Sequence, residues 1–90
     1  MKKVCLRCYI SGRVQGVGFR YATADKALAL NVSGYVRNLP DRRVEALICG
    51  DEQAVTALQR WLRQGPPFAQ VGDIHCETLP YQDYHDFRIE

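Results

Sequence analysis

The sequence predicts a single α+β domain in which antiparallel strands pack against two helices. Apolar and polar residues alternate, as they do in strands, in four segments, and two further segments show helical spacing. The order is strand, helix, strand, strand, helix, strand, and no linker or repeat divides residues 1–90. Two βαβ units in this order form an antiparallel sheet with both helices on one face. The predicted architecture is therefore the ferredoxin-like βαββαβ sandwich, with a short extra C-terminal strand.

The first strand and the first helix are predicted over residues 3–11 and 19–30. Residues 3–11 alternate strictly, and the apolar face comprises Val4, Leu6, Cys8 and Ile10. Three glycines in the seven residues that begin at Gly12 break any regular structure between the two elements. The helical spacing that follows is carried by Tyr21, Ala24, Ala27 and Leu28. Asn31 is expected near the C-cap of this helix.

The rest of the chain predicts three more strands, a second helix and the short last strand. Strands are expected over residues 32–39 and 71–79, from Val44 to a stop at Gly50, and over residues 86–90. Between the second and third strands Pro40-Asp41 marks a turn. The second helix is expected over residues 52–64, with Asp51 as its N-cap and Gly65-Pro66-Pro67 as its stop. Its apolar stripe comprises Val55, Leu58, Trp61 and Leu62.

Composition and charge exclude several classes of function. A hydrophobic fraction of 47% with charges of both signs argues against a disordered or fibrous chain. The formal net charge of +2 is too small to indicate nucleic-acid binding. No apolar run reaches the length of a membrane span, and the first residues alternate rather than form a signal peptide. We therefore expect a cytoplasmic monomer with no nucleic-acid or membrane partner.

The cysteines are expected to be structural rather than reactive. Cys5 and Cys8 have the CxxC spacing of redox and zinc motifs, but residues three apart on a strand point to opposite faces. No second CxxC completes a zinc site, since Cys49 and Cys76 stand alone. His75 and His85 lack ligand spacing with any cysteine or carboxylate, so no metal is expected. Half-buried structural thiols are therefore the default expectation.

One pair of cysteines nevertheless fits the geometry of a disulfide. In this topology the first and third strands are antiparallel neighbours, and pairing Leu6 with Ile48 keeps their apolar faces together. The same register sets Cys5 opposite Cys49 on the other face of the sheet. A Cys5–Cys49 disulfide is therefore conceivable, whereas a cytoplasmic location favours free thiols. The sequence leaves both alternatives open.

A glycine-rich loop leads into the predicted first helix. The segment Gly12-Arg13-Val14-Gln15-Gly16-Val17-Gly18 exposes backbone N–H groups at a helix start, where the helix dipole adds positive potential. Arg20 lies in the first helical turn, and its paired donors match two phosphate oxygens. The loop is not a Walker A motif and not GxGxxG, because Tyr21 stands where the third glycine belongs. From these residues alone, an anion site and a purely structural turn are both tenable.

Two segments resemble the signatures of the acylphosphatase family. Gly12-Arg13-Val14-Gln15-Gly16-Val17-Gly18-Phe19-Arg20 resembles the first signature, and Gly34-Tyr35-Val36-Arg37-Asn38 resembles the second. The resemblance continues through Val44 and Gly50 and covers nearly the whole chain. It implies a hydrolase that cleaves the carboxyl–phosphate bond of small acyl phosphates to a carboxylate and inorganic phosphate. It also implies that the enzyme uses neither metal nor cofactor.

The same resemblance implies the roles of individual residues. Residues 12–18 would form the phosphate-binding loop, Arg20 would bind the phosphate, and Asn38 would position the attacking water. The sequence departs from the family pattern at Arg42, because the second signature normally carries glycine four residues after the asparagine. If that turn requires a positive φ, arginine would strain it by about 1 kcal/mol.

Two functions of other classes remain as alternatives. The same loop could bind phosphate or a carboxylate-bearing partner without turnover, as a ligand-sensing or interaction module. An RNA-recognition module on this fold fits less well, because residues 16–21 resemble an RNP motif but lie in a loop rather than on a central strand. Competition by simple phosphate favours the enzyme, whereas steeply salt-dependent RNA binding favours the RNA module.

Overall fold

Seven elements follow one another in the predicted order. A computed structural model of the chain describes residues 2–90. The elements are β1 Lys3–Arg13, α1 Phe19–Leu30, β2 Ser33–Asn38, β3 Val44–Asp51, α2 Glu52–Leu62, β4 Gln70–Leu79 and β5 Phe87–Ile89. The bounds of most elements differ from the expected ones by one or two residues; β1 runs two residues further, and α2 ends two residues earlier. The predicted α+β, ferredoxin-like fold is confirmed.

The strand order places the segments that follow β1 and β2 at the same edge of the sheet. The order is β4-β1-β3-β2-β5, and β3 lies antiparallel to both β1 and β2. Strands β1 and β2 therefore run in the same direction, and the segments that follow them leave the sheet at the same edge. The four long strands are antiparallel as predicted, whereas β5 pairs parallel with β2 and makes the five-stranded sheet mixed.

The main core lies between the sheet and the two helices. The predicted stripe of α2 packs inward, with Val55, Leu58 and Leu62 fully buried, and the Trp61 ring lies 6.0 Å from that of Phe19. The apolar face predicted for β1 also joins this core. A smaller cluster on the opposite sheet face comprises Cys5, Leu47 and Cys49, with Tyr35, Leu79 and Tyr84 packed against it.

The buried face of α1 differs from the predicted one. Tyr21 is 66% exposed and Leu28 is 78% exposed, whereas Phe19, Thr23 and Ala27 are buried. These three residues recur every four positions and so form one stripe. The Thr23 hydroxyl donates to the carbonyl oxygen of Phe19 at 2.7 Å, which satisfies its polar atom inside the core. A hydroxyl satisfied in this way can occupy a core position that the hydrophobic pattern does not mark.

One of the two predicted helix caps has the expected hydrogen bonds and the other does not. Asn31 adopts a left-handed conformation with φ 59°, and its N–H is directed at the carbonyl oxygens of Ala27 and Leu28, as expected of a C-cap. Asp51 occupies the N-cap position of α2, but its carboxylate makes no capping hydrogen bond. The N–H of Glu52 instead donates to the carbonyl oxygen of Lys2 at 2.9 Å. The chain before β1 therefore satisfies a donor at the start of α2.

All four cysteines are paired in cross-strand disulfides. Cys5 lies opposite Cys49 in the β1–β3 register, and the structure joins them with their Cα atoms 4.1 Å apart. Cys8 is joined to Cys76 across the β1–β4 pairing, with a Cα separation of 4.0 Å. The expectation of unpaired thiols is therefore wrong for Cys8 and Cys76. The β1–β4 register puts these two residues side by side, and nothing in the local sequence specifies that register.

The turn between β2 and β3 has the backbone conformation that the sequence disfavours. The N–H of Arg42 donates to the carbonyl oxygen of Leu39 at 3.1 Å, which closes a four-residue turn with Pro40 second and Arg42 last. Glycine is favoured at this last position because, in hairpins of this kind, the residue there adopts a left-handed backbone conformation. Arg42 takes that conformation itself, with φ 78°. The strain expected from the missing glycine is therefore present in the fold.

Replacing Arg42 with glycine should stabilise the protein. Glycine removes the steric cost of the left-handed region but adds unfolded-state entropy, so we expect a net gain of about 0.5–1 kcal/mol in the free energy of unfolding. Urea unfolding measures it as a higher midpoint at an unchanged m-value. Arg63→Gly is the control, because Arg63 has φ −67° and should lose stability. A lower midpoint for Arg42→Gly would show that the arginine side chain contributes more than the strain costs.

Candidate active site

The segment between β1 and α1 turns on two left-handed glycines. Gly16 has φ 74° and Gly18 has φ 80°, and a Cβ at either position would meet nothing within 4 Å. Their requirement is therefore conformational rather than steric. Gly18 is the N-cap of α1, and the first turn of that helix contains no acidic residue. The positive end of the helix dipole thus faces the loop without a neutralising carboxylate.

A small cavity forms where this loop meets the end of β2. It measures about 90 Å³ and is lined by Val14, Gly16, Gly18, Phe19, Arg20, Tyr21 and Asn38. This volume is small for a ligand site and suits one small tetrahedral anion. Arg20 is the only cationic side chain among the lining residues, and no carboxylate is among them. The charge of the cavity therefore favours an anion.

Arg20 is held between the helix start and the last strand. Its Nη1 donates to the carbonyl oxygen of Glu90 at 3.2 Å. Glu90 is fixed in turn, because its N–H donates to the carbonyl oxygen of Val36 in β2 at 2.9 Å. A guanidinium carries five N–H donors in a planar fork, so this contact leaves donors for an anion while it limits the orientation of the side chain.

Asn38 reaches the cavity from the β2–β3 hairpin, and Gln15 joins that hairpin to the loop. Asn38 is the last residue of β2 and is exposed on the cavity wall. The Gln15 amide Nε2 donates to the carbonyl oxygens of Leu39 and Arg43, both at 2.9 Å. Gln15 was predicted as part of the phosphate-binding loop, and its side chain points away from the cavity to the hairpin that carries Asn38.

Further interactions hold the hairpin itself. The N–H of Arg43 donates to the Asp41 carboxylate at 3.1 Å, and this hydrogen bond holds the pKa of Asp41 below its ordinary value. The Arg43 guanidinium pairs with the same carboxylate and also lies 4.8 Å from the centre of the Tyr9 ring. Arg37, next to Asn38, pairs with the buried carboxylate of Glu45 on the neighbouring strand. These contacts fix both sides of the turn beside Asn38.

Four of the seven residues predicted in the phosphate-binding loop lie outside the cavity lining: Gln15, described above, and Gly12, Arg13 and Val17. Gly12 belongs to β1 and sits at a bulge, where a Cβ would come within 2.4 Å of the Gln70 carbonyl oxygen. Close approach of β4 therefore explains this glycine. Arg13 pairs with Gln70 in the same ladder and is exposed, and Val17 packs against the core. Sequence reasoning missed Phe19 and Tyr21 in the lining, although both lie within or beside the first signature.

The structure adds two findings about metals and membranes. Within residues 2–90, no group of three or more histidine, cysteine, aspartate or glutamate side chains could hold a metal ion. No helix in the same part of the chain has the length and apolar character required to cross a membrane.

Comparisons with known proteins identify the family. The acylphosphatase family model matches residues 6–89. The chain belongs to the acylphosphatase family. The acylphosphatase of Chromohalobacter salexigens is 58% identical over 73 residues, covering 81% of each chain, and that of Pseudomonas paraeruginosa is 52% identical, covering 99% of this chain and 98% of its own. The structure of a Coxiella burnetii acylphosphatase has a TM-score of 0.94 at 39% identity, covering 98% of this chain and 93% of that one. These findings confirm the predicted family and enzyme class, a hydrolase of acyl phosphates.

Removing the Gln15 amide should slow this acylphosphatase more than it weakens phosphate binding. Gln15→Leu approximately keeps the size of the side chain but cannot donate to the carbonyl oxygens of Leu39 and Arg43. The hairpin that carries Asn38 is then free to shift relative to the loop. We expect kcat to fall by about tenfold or more, because a displacement near 1 Å can cost about 100-fold. Inhibition by inorganic phosphate should change little, since Arg20 and the loop N–H groups remain.

Steady-state hydrolysis with phosphate as inhibitor measures both quantities. Gln64→Leu, the same substitution at an exposed site just beyond α2, is the control and should match the wild type. An unchanged kcat in Gln15→Leu, or equal losses in kcat and phosphate affinity, would contradict a positioning role for Gln15.

Proposed function

We propose that this acylphosphatase binds the phosphoryl group of its substrate through Arg20 and the N–H groups of the glycine loop, while Asn38 orients the attacking water. The observation that carries the proposal is the shared cavity: Gly16, Gly18, Arg20 and Asn38 line one space of about 90 Å³ at the start of α1. A backbone donor set, a cation and an amide thus converge on a volume suited to a phosphoryl group.

Binding and transition-state stabilisation come from the same groups. During phosphoryl transfer the negative charge is spread over three equatorial oxygens, and catalysis depends mainly on positioning and electrostatics. The loop N–H groups and the α1 dipole are fixed by the backbone, so they require no reorganisation as charge develops. The Arg20 fork can bind two of the oxygens at once. Donors aimed at the phosphoryl group therefore lower the barrier as well as the dissociation constant.

Asn38 contributes orientation rather than proton abstraction. A side-chain amide does not titrate near neutral pH, but its oxygen accepts a hydrogen bond from water. A water held in this way on the side opposite the acyl group is aligned for in-line attack on phosphorus. The new bond joins the water oxygen to phosphorus, and the bond from phosphorus to the carboxyl oxygen breaks. The proton of the water passes to an oxygen of the substrate's own phosphate.

The leaving group explains why neither a metal nor a general acid is required. The departing group is a carboxylate, whose conjugate acid has a pKa of about 4, so it leaves without protonation. The remaining demand is for positive charge at the phosphoryl oxygens, which Arg20 and the loop supply. We therefore propose a metal-independent and cofactor-independent reaction.

We also propose that the enzyme works as a monomer in the cytoplasm. Disulfides are rare in reducing compartments, so a cytoplasmic location predicts that the two cysteine pairs, which the structure joins as disulfides, are reduced in the cell. Sedimentation of the purified chain tests the oligomeric state, and alkylation of thiols in intact cells tests the compartment.

Hydrolysis of benzoyl phosphate in EDTA should separate this mechanism from its alternatives. Wild-type turnover should persist in the chelator, and Arg20→Ala and Asn38→Ala should each lower kcat/KM by about 100-fold or more, as the loss of a preorganised transition-state contact does. Arg63→Ala, which removes an exposed arginine distant from the cavity lining, is the control and should retain activity.

Two outcomes would contradict the proposal. A folded wild-type chain that binds phosphate without turnover would be a phosphate-binding module. Activity that EDTA abolishes and a divalent metal restores would require a metal-dependent mechanism.

A further inference from the structure

A second groove adjoins the phosphate cavity on the far side of Gly16. It has a volume of about 510 Å³ and is lined by Arg13, Gly16, Val17, Pro67, Phe68, Ala69 and Gln70. Gly16 lines both spaces, so the groove and the cavity adjoin at that residue. The volume of the groove lies within the usual range of small-molecule sites, whereas that of the cavity lies well below it. Arg13 is its only charged lining residue.

Phe68 is presented to this groove on a constrained turn. Its side chain is 81% exposed, the highest value among the large hydrophobic residues exposed within residues 2–90. The turn begins at Gly65, which has φ 70° and lies so close to Phe19 that a Cβ would come within 2.8 Å of the ring. Two prolines follow, and the N–H of Ala69 donates to the carbonyl oxygen of Pro66 at 3.0 Å. The fold therefore holds an exposed apolar ring in the wall of the groove.

We propose that this groove binds the acyl group of the substrate and favours aromatic acyl groups. The inference rests on the phosphoryl site proposed above, because a cavity of about 90 Å³ that holds the phosphoryl group leaves the acyl group outside. The groove meets the cavity at Gly16, where no side chain stands between them, so an acyl group that extends past this residue would reach Phe68.

The groove chemistry selects an aromatic ring. The Phe68 ring offers an edge or a face to another ring, and Val17 and Pro67 add apolar surface. The planar guanidinium of Arg13 can stack on the face of a bound ring. A short acyl group such as acetyl gains none of these contacts, because it ends near Gly16. The proposal therefore makes Phe68 a specificity-determining residue for the acyl side of the reaction.

The test compares benzoyl phosphate with acetyl phosphate in wild type and in Phe68→Ala. The loss of one aromatic contact should lower kcat/KM for benzoyl phosphate by about five- to tenfold. The value for acetyl phosphate and the inhibition constant of inorganic phosphate should stay unchanged within error. Phe68→Tyr, which keeps the ring, should restore the preference for benzoyl phosphate. Leu28→Ala removes a similarly exposed apolar side chain from α1, outside the groove, and should alter neither substrate.

Three results would overturn the proposal. Equal changes for the two substrates in Phe68→Ala would mean that the side chain affects the site without contacting the acyl group. No change for either substrate would mean that Phe68 does not contact the acyl group. A loss of the benzoyl preference in Tyr21→Ala instead would place the acyl group on the α1 side of the cavity. Each variant is judged on the ratio of kcat/KM for benzoyl phosphate to kcat/KM for acetyl phosphate. An error in the proposed acyl groove would leave this ratio unchanged, whereas an error in the proposed phosphoryl site would show as equal effects on both substrates.

Discussion

The two halves of the active site depend on the side-chain amide of Gln15. One half is the glycine loop after β1, and the other is the β2–β3 hairpin, which leaves the sheet at the same edge. The sheet register brings both halves to that edge, where the β1–β3 pairing ends at Ile10 and the β2–β3 pairing ends at Asn38. The two hydrogen bonds from Gln15 to Leu39 and Arg43 join the segments beyond these points. Gln15 thus links the proposed phosphate loop directly to the hairpin that carries Asn38.

The site is also arranged so that an anion is required to complete its electrostatics. Arg20 lies at the positive end of α1, where a cation is unfavourable by about 0.3–1 kcal/mol, and the first turn offers no carboxylate to offset it. The contact with the main-chain oxygen of Glu90 compensates only in part, since it is a single hydrogen bond. In the proposed mechanism, a bound phosphoryl group would satisfy the arginine, the helix dipole and the loop N–H groups together. The free enzyme therefore carries a local cost that its substrate removes.

The local pattern of the sequence predicted the order of the elements, the buried face of β1, the α2 stripe and the segment that forms the cavity. These features depend on residues close together in the chain. Contacts between distant segments were not predicted: the Cys8–Cys76 disulfide depends on the β1–β4 register, and the bridge made by Gln15 depends on the β2–β3 turn. The face of α1 was mistaken because the Thr23 hydroxyl bonds its own helix and is buried like an apolar group. The family resemblance supplied the roles of Arg20 and Asn38, which pattern and spacing alone could not.

The division of labour between Arg20 and Asn38 is the central claim, and equilibrium binding of inorganic phosphate tests it most directly. Calorimetric titration of the wild type, Arg20→Ala and Asn38→Ala measures affinity without turnover. Arg20→Ala should bind phosphate about tenfold more weakly or worse, because it loses hydrogen bonds between charged groups. Asn38→Ala should bind it as the wild type does, although it no longer orients water. A loss of affinity in Asn38→Ala as large as that in Arg20→Ala would contradict the account.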